Sequence, residues 1–338
     1  MMETQRVDAY TRNRPAWDWL GVTKWHHAGY TGKGVKIVVV DTDINKAFCR
    51  YPERVFPQAG AGNNFGTADG KTSFHGGYSV DIVQQILPHA EVHFFRWQSG
   101  LASAVRHAIS IGAAAVSVSL SYDWAPISRE LSAEALEAGV LLCASAGNSG
   151  QTVGHQIGFP ARKATWVAVG AAFVNIHQRT IGRAVYSSTG DALEVMGYTG
   201  RWVDVGSSRQ IQYTGTSCAC PVFASMMGLV RERWPYMTVQ EKRNLILDHS
   251  VDMAETGRDE ETGWGMFRLP HPETGERMKE IVLTIDDKAV IVDGERVETD
   301  VAPMIHNGRT MVPVSFVARQ LGKEVTWDEH TRRVIIRG

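Results

Sequence analysis

The sequence predicts an α/β protein: a doubly wound, mostly parallel sheet with helices on both faces, followed by a small C-terminal α+β domain. Two observations carry this prediction. Through the first 270 residues, short runs rich in β-branched residues alternate with helical patterns, and the runs are continuously apolar, as in parallel strands covered on both faces. Beyond residue 280 apolar and polar residues alternate between turn signals, which is typical of hairpins.

The elements of the large domain follow from these patterns in order. Apolar runs predict strands at 35–40 (VKIVVV), 91–95, 114–120, 140–144 and 166–169. Helical patterns predict helices at 78–87, 101–111, 127–138, 217–234 and 238–249. The last of these opens with a capping box, Thr238 to Glu241. Strand, helix and strand in repeated order predict a doubly wound domain.

Domain boundaries are indicated by a change in composition. The large domain is predicted at 1–270, and prolines, a glycine and charged residues at 271–280 indicate a linker. Residues 281–338 predict hairpins, with turns at Asp286-Asp287 and Asp293-Gly294. A helix at 314–321, ended by Gly322, completes this module.

Composition excludes several classes of function. With 338 residues, 43% of them hydrophobic, the chain can bury a sizeable core. The formal net charge of −1 gives no field that favours nucleic acid, so no nucleic-acid partner is expected. No apolar run is long enough to span a bilayer, and the polar first twenty residues do not resemble a secretory signal peptide. We therefore expect no membrane insertion and favour cytoplasmic synthesis.

A serine in the stretch TGTSCACP is the first candidate for chemistry. Ser217 follows Gly215, which permits a tight turn, and a helix begins just beyond it. A serine hydroxyl is a poor nucleophile at neutral pH, so it needs a base and a group that orients the base. Asp41 ends the strand VKIVVV at the edge where sites assemble in α/β sheets, and His75 lies beside two glycines at a helix start.

An oxyanion donor is predicted at Asn148, where a strand empties into the glycine-rich turn ASAGNSG. Its side-chain amide and the backbone N–H of Ser217 can both donate to a negatively charged oxygen.

Four motifs in order resemble those of the subtilisin-like serine proteases: VVVDTDI with Asp41, HGGYSVDIV with His75, ASAGNSG with Asn148, and GTSCACP with Ser217. Supporting stretches extend the resemblance over roughly residues 15 to 268. It implies a serine endopeptidase in which Ser217 attacks a peptide carbonyl, His75 is the base, Asp41 holds His75, and Asn148 stabilises the oxyanion. It also implies a cleft that pairs with the substrate backbone, lined by Ser119, Leu120, Ser121, Ala144, Ser145, Ala146, Gly147 and Thr216.

Two alternatives stay open at this point. After His75 the chain has Gly76-Gly77-Tyr78 where the family usually has Gly-Thr-His, so a catalytically impaired pseudoprotease that binds a peptide or partner is the second hypothesis. The segment between Ile86 and His89 is short, and the family's usual calcium loop is missing there. We expect no cofactor, while calcium elsewhere in the domain stays open.

The C-terminal stretch MVPVSFVARQLGKEVTWDEHTRRVIIRG resembles the copper amine oxidase N-terminal-like domain, a small module of many secreted or surface proteins of Gram-positive bacteria. No copper is implied, because His306 and His330 lack further ligands nearby. The resemblance implies an interaction domain with a protein or surface partner. An extracellular or virion-associated location therefore stays open beside the cytoplasmic one.

Overall fold

The computed structural model describes residues 7–46, 49–58, 75–123, 127–151, 157–175, 180–205, 209–273, 281–292, 295–321 and 323–337. The chain divides into two compact units, Met1–Thr274 and Gly275–Gly338. The predicted linker lies outside the described residues from position 274 to 280, and so do the predicted turn residues 293 and 294 and the helix-ending Gly322.

The described part of the first unit contains helices α1 (Ala9–Leu20), α2 (Val22–His27), α3 (His75–Ile86), α4 (Leu101–Ser110), α5 (Arg129–Glu137), α6 (Thr216–Arg233) and α7 (Val239–His249). Its strands are β1 (Lys36–Asp41), β2 (Val55–Pro57), β3 (Glu91–Arg96), β4 (Ala115–Val118), β5 (Leu141–Ser145), β6 (Val167–Asn175), β7 (Thr180–Arg183), β8 (Leu193–Tyr198), β9 (Arg201–Asp204), β10 (Gln210–Tyr213), β11 (Ser250–Val251) and β12 (Met266–Phe267). None of these helices has the length and apolar character that a membrane span needs.

A ten-stranded sheet forms the centre of the first unit. Its strand order is β11-β12-β8-β6-β5-β4-β1-β3-β2, with β7 paired to β6. All pairings are parallel except β11 with β12 and β7 with β6. The mostly parallel, doubly wound sheet that the sequence predicts is therefore confirmed.

Helices cover both faces of this sheet. Helix α3 connects β2 to β3, α4 connects β3 to β4, and α5 connects β4 to β5. Helix α3 packs against α6, and α4 packs against α5; each pair contacts the central strands β1 and β4, which places the two pairs on opposite faces of the sheet. The long helix α6 packs beside α3 and across β4, β5, β6 and β8. Apolar burial on both faces explains why strand β1 is buried from Ile37 onward.

The carboxyl ends of three adjacent strands position the candidate site. Strands β5, β4 and β1 are neighbours and run parallel, so their last residues lie along one edge of the sheet. Strand β1 ends at Asp41, the chain after β4 carries Ser119, and the chain after β5 carries Asn148. Helices α3 and α6 begin at the same edge with His75 and Thr216. This is the edge where ligands bind in open α/β sheets.

The second unit is a set of hairpins with one helix among its described residues. It contains β13 (Ile281–Leu283), β14 (Ala289–Val292), β15 (Glu295–Glu298), β16 (Met304–His306), β17 (Arg309–Met311), α8 (Val314–Gln320), β18 (Glu324–Asp328) and β19 (Arg333–Arg337). The strands pair as β13-β14-β15, β16-β17 and β18-β19, all antiparallel. The predicted small α+β domain is confirmed in its class.

Candidate active site

Asp41 is a fully buried carboxylate at the end of β1. Its Oδ1 accepts a hydrogen bond from the backbone N–H of Thr42 at 2.7 Å, and its Oδ2 accepts one from Ser79 Oγ at 2.8 Å. A buried charge is tolerable only when its oxygens are hydrogen-bonded, and these donors fix the plane of the carboxylate. Asp41 therefore has an oxygen in a defined position for a third donor.

His75 supplies that third donor. It is the first residue of α3, and its Nδ1 lies 2.6 Å from Asp41 Oδ1. Because an ionised carboxylate can only accept, the proton of a neutral His75 is on Nδ1 and its Nε2 carries a lone pair. Gly76 makes this approach possible, since a Cβ there would stand 2.6 Å from the backbone oxygen of Asp43.

The pKa of His75 is set by two opposing effects. Partial burial lowers the pKa, whereas the hydrogen bond to Asp41 and the negative charge of Asp41 raise it. The second effect is larger, so the pKa of His75 is raised above its ordinary value. The imidazole consequently keeps a second proton to a higher pH than a free histidine does.

Ser217 lies in the first turn of α6, behind an N-cap glycine. Gly215 has φ of 94°, a conformation that residues with a side chain rarely adopt, and it turns the chain into the helix. Ser217 Oγ donates to the backbone oxygen of Ser119 at 3.4 Å. Within the described residues, the Ser217 hydroxyl donates to Ser119 and forms no hydrogen bond with His75. The hydroxyl has to turn from Ser119 to reach the imidazole.

Tyr213 occupies the place beside the imidazole. Its hydroxyl oxygen lies 3.3 Å from His75 Nε2 and donates to the backbone oxygen of Ser217 at 2.8 Å. The ring is buried and stands edge-on to His75, with 5.3 Å between the ring centroids. Sequence reasoning missed Tyr213, which ends the strand QIQY four residues before the serine. The sequence did contain a signal for this residue: an aromatic side chain in a polar stretch, close to the candidate nucleophile.

The side-chain amide of Asn148 is held by hydrogen bonds to its oxygen. Its Oδ1 accepts from the backbone N–H of Thr216 at 2.9 Å and from Thr216 Oγ1 at 3.0 Å. These contacts assign the oxygen and leave the Nδ2 hydrogens as donors next to the start of α6. The amide group stands beside Gly215, where a Cβ would lie 3.2 Å from Nδ2. Asn148 and the α6 N-terminus are thereby held together.

Some of the predicted cleft residues lie in the chain after β4, in the chain after β5 and at the start of α6, and the others lie within the sheet. Ser119 is buried, and its Oγ donates to the backbone oxygen of Ser217 at 2.9 Å, whereas Leu120 is half-buried and Ser121 is exposed. Gly147 donates from its backbone to Thr216 Oγ1 at 3.2 Å, which joins the chain after β5 to the α6 N-terminus.

The other predicted cleft residues lie within the sheet. Ala144 and Ser145 are buried in β5, where they pair with β6, and Ala144 also pairs with β4. Ala146 donates its backbone N–H to the oxygen of Val169. The backbone of these three positions is therefore engaged in pairing within the sheet.

The first unit and the small unit also contain histidines and thiols that could bind a metal ion or react. Among the described residues, no cluster of three or more His, Cys, Asp or Glu side chains is arranged to hold a metal ion. His306 and His330, in the small unit, are both exposed. Burial raises the pKa of the thiols beside the serine to about 11 for Cys218 and about 12 for Cys220.

Two family models match this chain. The family model described as "Subtilase family" matches residues 32–265, which include Asp41, His75, Asn148 and Ser217, and the model described as "Copper amine oxidase N-terminal domain" matches residues 274–336. The minor extracellular protease Epr of Bacillus subtilis (strain 168) is 28% identical over 264 residues. That alignment covers 71% of this chain and 39% of the relative.

A second relative and one solved structure are also similar to this chain. Alkaline elastase YaB of Bacillus sp. (strain YaB) is 28% identical over 244 residues, covering 68% of this chain and 62% of the relative, so the chain spans less than two thirds of both relatives. The psychrophilic subtilisin-like protease Apa1 from Pseudoalteromonas sp. AS-11 shares the fold, with a TM-score of 0.60 at 15% identity over 75% of this chain and 95% of that chain. The first domain of this chain, with its match over more than half of the sequence, belongs to the subtilase family.

Proposed function

We propose that this protein is a serine endopeptidase that hydrolyses peptide bonds of polypeptides through Asp41, His75 and Ser217. The observation that carries the proposal is the 2.6 Å hydrogen bond from His75 to the buried Asp41, at the sheet edge where Ser217 lies in the first turn of α6. A carboxylate, an imidazole and a serine brought together by three separate elements have the roles of orienting group, base and nucleophile. The match to the subtilase family supports this assignment.

In the first step, Ser217 Oγ forms a bond to the peptide carbonyl carbon while its proton passes to His75 Nε2. The carbonyl π electrons move to the oxygen, which becomes negatively charged. When this intermediate collapses, the carbon–nitrogen bond breaks and His75 gives its proton to the leaving amine, so an acyl-enzyme and one amine product result. Water then repeats the sequence and releases the second product and the free serine.

The negatively charged oxygen of each intermediate requires a donor. Asn148 is suited to this role because its Oδ1 is occupied by Thr216, which directs the Nδ2 hydrogens toward the α6 N-terminus. The backbone N–H of Ser217 at the start of α6 is the second donor, because the first N–H groups of a helix have no partner within it. Both donors are fixed before the reaction, which lowers the cost of reorganisation.

Substrate backbone is proposed to pair with the chain after β4. Ser121 is exposed, and the next residue, Tyr122, exchanges two backbone hydrogen bonds with Phe159, at 2.8 and 3.0 Å. This bridge braces the segment from Ser119 to Ser121, so an extended peptide can add to it as a strand. Gly147 and Thr216 close the opposite side of the cleft.

We propose an interaction role for the small domain. Its hairpins expose large apolar side chains, among them Ile305 and Trp327, which are 64% and 58% exposed. Exposed apolar groups of this size on a small β domain favour contact with another protein or a surface. The chemistry of catalysis lies wholly in the first unit.

Cleavage of an unfolded polypeptide tests the proposed function. Casein is incubated with the whole chain, with Ser217→Ala and with Ser225→Ala, a serine of α6 whose buried hydroxyl bonds to Pro221 instead. We expect new peptide termini, identified by mass spectrometry, from the whole chain and from Ser225→Ala but not from Ser217→Ala. Binding of casein without cleavage by any of the three folded proteins would instead support the pseudoprotease hypothesis.

A further inference from the structure

Tyr213 connects the three candidate catalytic residues through a single buried hydroxyl. Its oxygen lies 2.8 Å from the backbone oxygen of Ser217, 3.1 Å from Ser79 Oγ and 3.3 Å from His75 Nε2. Ser79 in turn donates to Asp41. The phenol therefore touches the nucleophile's backbone and the base, and reaches the carboxylate through one serine.

The protons available to this cluster determine its hydrogen-bond directions. The backbone oxygen of Ser217 can only accept, and it is the nearest partner of the phenol, so the single phenol proton lies there. The hydroxyl proton of Ser79 is committed to Asp41 Oδ2 at 2.8 Å. The phenol oxygen is thus left with a lone pair that faces His75 Nε2.

The state of His75 decides whether this contact is favourable. In neutral His75 the proton is on Nδ1, so the Nε2 lone pair would face an oxygen that has no proton to give. In protonated His75 the Nε2–H points at that oxygen and is satisfied. Hydrogen bonds that involve a charged group are among the stronger ones in proteins. The geometry therefore matches the imidazolium.

We propose that Tyr213 is a positioning residue: its phenol oxygen accepts the Nε2–H of protonated His75 and releases Nε2 to Ser217 once that proton is lost. The role of Ser217 in this statement rests on the proposed function, whereas the contact between phenol and imidazole does not. Ser217 Oγ, meanwhile, is kept on the backbone oxygen of Ser119. In this arrangement neither Nε2 of His75 nor Oγ of Ser217 is bonded to the other, and loss of the Nε2 proton makes Nε2 available to Ser217.

Several other titratable side chains surround this cluster. Titratable side chains that interact with it come from β1, α3, the chain after β4 and α6, and they are Asp41, Tyr78, Tyr122, Cys218 and Cys220. Burial raises the pKa of Tyr213 itself, of Tyr122 and of both thiols, so these groups stay uncharged. Asp41 is the carboxylate that faces the imidazole.

Removing the phenol hydroxyl should make the imidazolium less stable and lower the pKa of His75. A hydrogen bond to a charged group is worth enough to move that pKa by about one pH unit. Tyr213→Phe keeps the ring and deletes the acceptor. If the base must be neutral to act, the acidic limb of kcat/KM moves to lower pH by the same amount.

The direct test is an NMR titration of the His75 imidazole in the full chain. We compare the unmodified protein, Tyr213→Phe, and the control Tyr198→Phe, whose buried hydroxyl bonds to the backbone oxygen of Val174. The His75 resonance is assigned by its absence in His75→Ala. We expect a lower His75 pKa in Tyr213→Phe alone, with kcat/KM profiles shifted in parallel.

An unchanged or raised His75 pKa in folded Tyr213→Phe would overturn the inference, because the phenol would then donate to neutral imidazole or not interact at all. If that variant does not fold, a fluorinated tyrosine at position 213 weakens the acceptor while it keeps the shape, and it must lower the pKa as well. A lowered pKa in a protein that cleaves no peptide would refute the proposed function and leave this contact standing.

Discussion

Asn148 presents the two ends of one amide to different partners. Its oxygen is held by Thr216, and its Nδ2 hydrogens stand beside the α6 N-terminus. A donor aimed at the place where charge develops stabilises the transition state more than the bound substrate, so its loss is expected in kcat rather than in KM.

Asn148→Ala is therefore expected to lower kcat about 10²- to 10³-fold, the magnitude established for a side-chain oxyanion donor in subtilisin. The measurement is steady-state kinetics on a peptide substrate. The control is Asn244→Ala, an exposed asparagine of α7. A loss confined to KM would show that Asn148 binds substrate instead of the oxyanion.

At the residue scale, the sequence predicts some site residues better than others. Asp41 and Ser217 could be identified from the sequence because each lies at an end of a predicted element and because their motifs, with those of His75 and Asn148, resemble one family's series in order. Tyr213 could not, since an aromatic residue at the end of a short strand is usually part of a core. The role of Tyr213 depends on Ser79 and His75, which lie 134 and 138 positions away along the chain and come near it only in the tertiary fold.

The turn that opens α6 depends on one glycine. Gly215 has φ of 94°, and a Cβ there would stand 3.2 Å from Asn148 Nδ2. Gly215→Ala therefore strains the turn and displaces the amide, and displacement by about 1 Å in a site costs about 10²-fold in rate.

We expect Gly215→Ala to reduce kcat/KM by about that factor, 10²-fold, with the overall fold kept. The matched control is Gly182→Ala in β7, where an added Cβ meets no atom within 4 Å. Equal activity of the two variants, with both folded by circular dichroism, would contradict the importance of the turn.

Helix α3 carries a second buried carboxylate, Asp81, six positions after His75. Arg50 Nε lies 3.3 Å from Asp81 Oδ1, and Gln85 donates to Oδ2 at 2.7 Å. Burial raises the pKa of Asp81 to about 6, and the nearby charge of Asp204 adds to this, while Arg50 opposes it. The folded protein therefore holds this proton more tightly than the unfolded chain, in which an aspartate titrates near pH 4.

Between about pH 4 and pH 6 the folded state binds more protons at Asp81 than the unfolded state, so this group's contribution to the free energy of unfolding falls as pH rises. An asparagine side chain cannot titrate, so the stability of the unmodified protein relative to Asp81→Asn should fall by on the order of 2 kcal/mol over this range. Denaturant unfolding at several pH values measures the difference. A difference that stays constant or grows with pH would refute the shift.

Elements were predictable to the extent that their own pattern set them. The buried parallel strands β1, β3, β4, β5 and β6 and the capped helix α7 were found, because continuous apolar runs and the Thr238–Glu241 capping box are local signals, whereas the parallel strands β2, β8 and β12 were not found. Helices α1 and α2 were not predicted, because their many polar and charged residues obscure the apolar pattern, although Trp17 and Trp25 are fully buried. The short strands β9 and β10 have half-polar sequences and are stabilised by each other.

At the scale of the whole molecule, the candidate site lies entirely in the first unit. Trp25 Nε1 donates to the backbone oxygen of Pro270 at 2.7 Å, and Arg233 Nε donates to that of Pro272 at 3.2 Å. These bonds fix the end of the first unit just before the division at residue 274. The sequence pattern indicated a change of domain at this place.

A chain truncated after Glu273 is accordingly expected to cleave peptides at an unchanged rate. The control is a chain truncated after Trp264, which loses β12 and its pairing with β8 and β11, and with them part of the sheet. Circular dichroism and peptide hydrolysis report the two outcomes. Loss of activity in a folded chain ending at residue 273 would assign part of the active site to the small domain.

The central claim is that His75 activates Ser217 as a nucleophile. Intact-mass and peptide mass spectrometry after incubation with a fluorophosphonate, for the unmodified chain, Ser217→Ala and His75→Ala, tests it most directly. We expect one covalent adduct, located on Ser217, that is absent in Ser217→Ala and strongly slowed in His75→Ala. Folded protein that forms no adduct, or forms one on Ser217 at the same rate without His75, would contradict the claim.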